Sequence, residues 1–277
     1  METKWLQGLT LYYDAEEQEA ADLIGRACTK SVPLIEAHWG LERLDDLRVY
    51  VMTSWLRPIL HSAPWPWRIL LAITLPLWGL RARGLWRIAG GWEQAFGQRR
   101  TVGVKPAWLL QEADGSLGGR IFVPGRDLDQ RVEHNTCHEL AHAFVSHLKL
   151  PAWLKEGHAM VTVDRYAGEP TVQGGTLETL SCSSAQPGAG RTRRLEARDP
   201  AALVYQCVRG YWITRMLDET QPDLLRSLLV ERTTAQALES QLAAGLGLGQ
   251  GAFWDRIDPV VVAYFQQRGQ SPSPERL

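Results

Sequence analysis

The chain lacks a surplus of either charge: 30 basic residues against 31 acidic ones leave a formal net charge of −1. With no global positive field, nucleic acid is not an expected partner. Cysteine is scarce too. Cys28, Cys137, Cys182 and Cys207 lie far apart and form no C-x-x-C spacing, which argues against a disulfide framework and for buried thiols in a reducing, cytoplasmic setting. Long hydrophobic runs are missing. The most apolar stretch, Ile69–Leu80, covers twelve residues and contains Pro76, whereas a membrane-spanning helix needs about twenty. Met1–Thr10 has neither the basic start nor the apolar centre of a signal peptide, so export by that route is not expected.

What is present suffices for a substantial core. With 45% apolar residues in 277, the chain can fold as one domain, or as one catalytic domain built from two lobes. Leu9–Tyr13 alternates as a strand does, and Asp14 opens a helix expected to reach Trp39 with a break at Pro33. Leu47–Met52 reads as a second strand. Trp55–Trp92 then holds six of the twelve tryptophans, with Arg81, Arg83 and Arg87 after its apolar centre. Two readings stand for this segment: an insertion of buried helices or a lid, or a peripheral membrane contact, since tryptophan flanked by arginine suits the headgroup boundary. Thr101–Val104 and Ala107–Leu110 read as strands, turned at Asp114-Gly115 onto a partner at Arg120–Val123.

The chemistry concentrates further on. Asp127 or Asp129 can cap a helix extending through Leu148, with Val132, Leu140, Phe144 and Val145 as its core positions. That helix carries His138-Glu139-Leu140-Ala141-His142. Residues four apart share a helical face, so His138 and His142 can offer two imidazole nitrogens to one cation, the H-E-x-x-H zinc pattern. Glu139 stands where metallohydrolases place a carboxylate that takes a proton from activated water, so it is expected as base and not as ligand. A catalytic zinc site needs a third protein donor and one open position. Leu150-Pro151 ends the first helix, and Ala152–Ala159 can run back beside it, carrying Glu156 fourteen residues beyond His142. Glu156 is the expected third ligand. His147 is turned about 140° from His142 around the helix, and His158 sits two residues from Glu156, so both should face elsewhere. His134, one turn before His138, is expected beside the site and not on the metal.

The downstream Trp153-Leu154-Lys155-Glu156-Gly157-His158-Ala159 completes a W-L-x-E-G-x-A segment. With it the chain resembles the gluzincin metallopeptidases, particularly the peptidase MA-like group. The resemblance implies zinc, a thermolysin-like catalytic fold, Glu156 as ligand, and an edge strand above the metal that can pair with an extended peptide. The spacing from His142 to Glu156 is shorter than in thermolysin or the gluzincin aminopeptidases and suits the MA-like group. Glu156 is followed four residues on by Met160 and not by the aspartate of thermolysin's E-x-x-x-D pattern, and the aminopeptidase G-x-M-E-N motif does not occur, so those substrate preferences do not carry over.

Met160–Arg165 can complete the second helix. Ala167–Asp199, rich in Gly, Ser, Pro and Thr, reads as a loop bordering the cleft, with Arg191, Arg193 and Arg194 as a solvated face. Pro200–Trp212, Leu224–Val230, Thr233–Ala244 and Phe253–Gln266 read as helices, and Gly269–Leu277 as a mobile tail. MA-like gluzincins close similarly, with a tyrosine of the first such helix facing the metal. Tyr205 matches that place best and Tyr211 is the reserve; such a phenol could hold an oxyanion, or simply pack in a helical interface.

The expectation is therefore an α+β, thermolysin-like catalytic domain over 1–277. An α/β lobe occupies 1–125 with the Trp-rich insertion at 55–92, and a helical zinc-binding lobe occupies 126–268. The function expected is zinc-dependent hydrolysis of peptide or protein substrates. The alternatives are a non-catalytic zinc-binding protein, against which the intact Glu139 argues, and a membrane-associated interaction protein organised by the Trp-rich segment.

Overall fold

The structure is a computed structural model that describes residues 1–6, 8–113, 118–123, 127–182, 200–230, 234–249 and 253–269. β1 (Glu2–Leu6) runs antiparallel to β2 (Leu9–Tyr13), with Leu6 opposite Leu9. β2 buries Leu9, Leu11 and Tyr13, the period-two pattern read from the sequence. α1 (Gln18–Trp39) leads to β3 (Leu47–Val51), which lies parallel to β2. Contrary to expectation α1 passes unbroken through Pro33. Pro33 and Thr29, whose carbonyl loses its helical donor, are both exposed, so water can satisfy that carbonyl.

The Trp-rich segment forms α2 (Leu56–Ser62) and α3 (Trp65–Ile88), and α3 likewise continues through an exposed proline, Pro76. β4 (Gly91–Phe96) and β5 (Arg99–Val104) follow as an antiparallel hairpin turned at Gly97, whose φ of 63° favours glycine. β5 pairs parallel with β3, giving a mixed five-stranded sheet in the order β1-β2-β3-β5-β4. Neither edge strand, β1 or β4, was anticipated. Ala107–Leu110, read as a strand, belongs instead to α4 (Ala107–Ala113); of the proposed partner strand at Arg120–Val123, Arg120 and Ile121 belong to α5 (Gly118–Ile121) and only Phe122 forms a β-bridge. A four-residue apolar run cannot distinguish strand from buried helix, and here Pro106 accepts from the amides of Leu109 and Leu110 to start a helical turn. The expected turn at Asp114-Gly115 lies outside the described residues.

α6 (Leu128–Val145) and α7 (Ala152–Ala167) carry the H-E-x-x-H and W-L-x-E-G-x-A sequences. α6 stops at Val145, short of Leu148, and a turn follows. The chain divides into two compact units, Met1–His147 with Thr162–Thr171, and Leu148–Val161 with Val172–Leu277. α6 thus groups with the sheet, whereas the boundary drawn at 125/126 had placed it with the later helices. In the first unit α6 packs on β4, β5, α1 and α4, over a core that includes Ile24, Ile35, Val49, Val102, Leu140 and Phe144.

The second unit adds α8 (Glu178–Cys182), α9 (Pro200–Thr220), α10 (Pro222–Val230), α11 (Ala235–Gly245) and α12 (Phe253–Gly269). The loop expected over Ala167–Asp199 contains a 3-10 turn at Gly174–Leu177 and then α8; its remainder, with Arg191, Arg193 and Arg194, lies outside the described residues, as do the tail residues 270–277. In this unit α7 and α9 approach closely at two glycines. A Cβ on Gly157 would stand 2.2 Å from the Gly210 carbonyl oxygen, and one on Gly210 would stand 2.1 Å from that of Trp153. The backbones touch because neither residue has a side chain. Gly210→Ala should therefore cost about 3 kcal/mol through overpacking against backbone, read as a lower midpoint in denaturant unfolding at unchanged slope.

Candidate metal centre

α6 begins with Asp127 as its cap, its carboxylate accepting from the Asp129 amide at 2.8 Å. Val132, Leu140, Phe144 and Val145 are buried as their spacing predicts. The face left over presents His138 and His142. Their Nε2 atoms lie 3.0 Å apart, with rings nearly perpendicular at 84°. One helical turn delivers both nitrogens to one point.

Glu156 arrives on α7. The second half of that helix is bound to its neighbours in the first unit: the Trp39 indole donates to the Thr162 hydroxyl at 2.8 Å, and the Tyr166 hydroxyl donates to Glu133 at 2.9 Å. Lys30 donates to the Tyr166 carbonyl at 2.9 Å and stands over its ring. The first half carries Glu156, and one potential ligand atom from each of His138, His142 and Glu156 lies within 4.8 Å of the others. Two imidazole nitrogens and a carboxylate oxygen are the donors that a first-row divalent cation takes. Ligands about 2.1 Å from a tetrahedral ion stand about 3.4 Å apart. The imidazole pair is already near that spacing. All three residues are half-buried, so the donors are neither sealed in the core nor fully hydrated.

Glu139 occupies the next position on α6, beside the start of β4. A Cβ on Gly91 would stand 2.5 Å from the Glu139 Cγ, and one on Gly90 would stand 2.4 Å from the Asn135 Nδ2. Asn135 and Glu139 are four apart and share one face, so the paired glycines make room for that face against the sheet edge. Sequence reasoning missed Gly90, Gly91 and Asn135. The signal was the double glycine opening a strand, which marks close backbone approach.

The other candidates are placed as follows. His147 is exposed and His158 fully buried. His134 sets its ring edge-on to Tyr166 at 6.0 Å. The Tyr205 hydroxyl donates to Asp258 at 3.1 Å, and Asp258 also accepts from Arg209 at 2.7 Å in a buried ion pair. Tyr211 is buried, its hydroxyl accepting from Arg215 at 2.8 Å.

Cys28, Cys137 and Cys207 are free and buried. Burial pushes the Cys28 and Cys137 thiols up to about 12. Burial, with the Glu156 carboxylate adding to it, raises Cys207 well above the ordinary thiol range. Cys137 points away from the site, with its thiol 3.8 Å from the Thr162 carbonyl. At pH 8 a thiol titrating near 12 is about one part in ten thousand thiolate. Cys28, Cys137 and Cys207 should therefore resist iodoacetamide in the native protein and react after denaturation, as site-resolved mass spectrometry would register.

Comparison of the chain with known protein families returns no match, and no curated protein matches it.

Proposed function

We propose that the chain is a zinc-dependent metallopeptidase of the gluzincin, peptidase MA-like type, built on a thermolysin-like catalytic fold and acting on peptides in the cytoplasm. One observation carries this reading: two imidazoles and a carboxylate from α6 and α7 gather within 4.8 Å, and the adjacent Glu139 is directed to a glycine-lined strand edge. The buried free thiols suit a reducing compartment.

His138, His142 and Glu156 would hold the ion. Zinc bound there supplies a Lewis acid that polarises a carbonyl and acidifies water. Glu139 accepts the proton of the attacking water on its carboxylate as the water oxygen bonds to the scissile carbon. It then returns that proton to the departing amine nitrogen as the carbon–nitrogen bond breaks. β4 is an edge strand, and Gly91 at its start abuts Glu139. An extended peptide pairing with β4 through main-chain hydrogen bonds would lie along the base, with little demand on side-chain sequence. Tyr205 enters as the candidate oxyanion donor. Its single proton is held by Asp258, so that role requires the bond to be exchanged.

Three variants test the scheme in digests of a broad peptide library with a chelator control. Glu139→Gln should lower turnover by about 10²–10⁴-fold, the range of general acid–base catalysis, while retaining zinc on metal analysis. Glu156→Ala should lose the metal; full zinc content in that variant removes Glu156 from the site. Tyr205→Phe should cost about 10²–10³-fold in kcat if the phenol holds the oxyanion, and little beyond stability if it only serves the Asp258–Arg209 pair. A well-folded, zinc-loaded wild-type chain that cleaves nothing would favour the non-catalytic alternative.

A further inference from the structure

The outward face of α3 is apolar and uncovered. Ile73 is 71% exposed, Leu77 87% and Leu80 83%, and Ile69 and Leu70 are about half exposed. Positions 69, 73, 77 and 80 follow one another at helical spacing, so these side chains form a single stripe along the helix. The opposite face is already used. Trp78 packs edge-on against Trp55 at 6.0 Å, and Trp86 lies under the Lys105 ammonium at 4.3 Å. The buried-helix reading is not met in α3, where no described side chain is fully buried and Trp78 and Trp86 are half-buried. Trp65 and Trp67 stand exposed at its first turn, and Arg83 is exposed near its end.

Charge selects the occupant. Arg48 and Arg57 pair with Asp46 and Asp14, but α3 itself carries Arg68, Arg81, Arg83 and Arg87 and no aspartate or glutamate. A second copy laid on this stripe would bring two cationic segments together, which like-charge repulsion opposes. An anionic surface would be attracted. No helix among the described residues is long and apolar enough to cross a membrane, and α3 combines exposed tryptophans, aliphatic side chains and flanking arginine, the make-up of a helix that lies in the interfacial plane.

We propose that the outer face of α3 docks the protein on the surface of an anionic lipid bilayer, with Ile69, Ile73, Leu77 and Leu80 entering the acyl boundary and exposed Arg83 meeting lipid phosphates. This inference is independent of peptidase activity. It is tested by flotation of the full chain with phosphatidylcholine vesicles, with and without about one-third phosphatidylglycerol. The chain should float with the anionic vesicles, release at high salt, and show a blue shift of tryptophan emission on binding. Arg83→Glu should weaken partitioning by about fivefold or more, as expected for removing one surface arginine. The double variant Ile73→Glu/Leu77→Glu should weaken it on the order of a hundredfold. Both variants alter exposed positions, and unchanged melting temperatures would show that folding is intact. Absence of flotation with anionic vesicles overturns the proposal, as does equal binding to neutral ones or unaltered binding by the folded variants. A wild-type dimer that the double variant dissolves, without vesicle binding, assigns the stripe to self-association and overturns it as well.

Discussion

Helix α7 is pinned at two places along its length, and the position of Glu156 follows from both. Near its start the chain passes so close to α9 that only glycine fits at 157 and 210. Near its end Thr162 and Tyr166 are hydrogen-bonded to Trp39 and Glu133. Glu156 directly precedes the first of these anchors on the same helix. The glycine that follows Glu156 is thus explained by packing: it stands where the α9 backbone approaches.

The same logic governs Glu139. Its neighbours on α6 are buried hydrophobics that fix the helix against the sheet, and the one face that could have been crowded by β4 is opened by Gly90 and Gly91. Two separate elements are therefore shaped by missing side chains beside the residues with chemical potential. On the β4 side the Glu139 side chain is limited by the Gly91 backbone.

How much of this was legible in the sequence depended on the range of the interactions. The pairing of His138 with His142 is a property of one helical turn, and the sequence displays it directly. The α1, α6, α7 and α9 helices were legible for a similar reason, being long and bounded by caps and prolines. Tertiary pairing decided what was misread. β4 is Gly-Trp-Glu-Gln-Ala-Phe, weak strand material held by its register with β5, and α4 has an apolar tetrapeptide that either structure could use. Pro33 was read as a break because local rules count the lost hydrogen bond; whether the orphaned carbonyl faces water is settled only by the fold. The double glycine at 90 and 91 was visible as letters, but its meaning required knowing that α6 passes there.

The junction after α3 has a mechanical side. Only Ala89 and Gly90 separate the end of that helix from Gly91. Buried Lys105 fastens the joint, donating from its ammonium to the Trp86 carbonyl and from its amide to the Gly90 carbonyl at 3.1 Å. With so short and braced a linkage there is almost no slack to absorb a pull. The end of the long helix is thus tied closely to the residue that gives Glu139 its room.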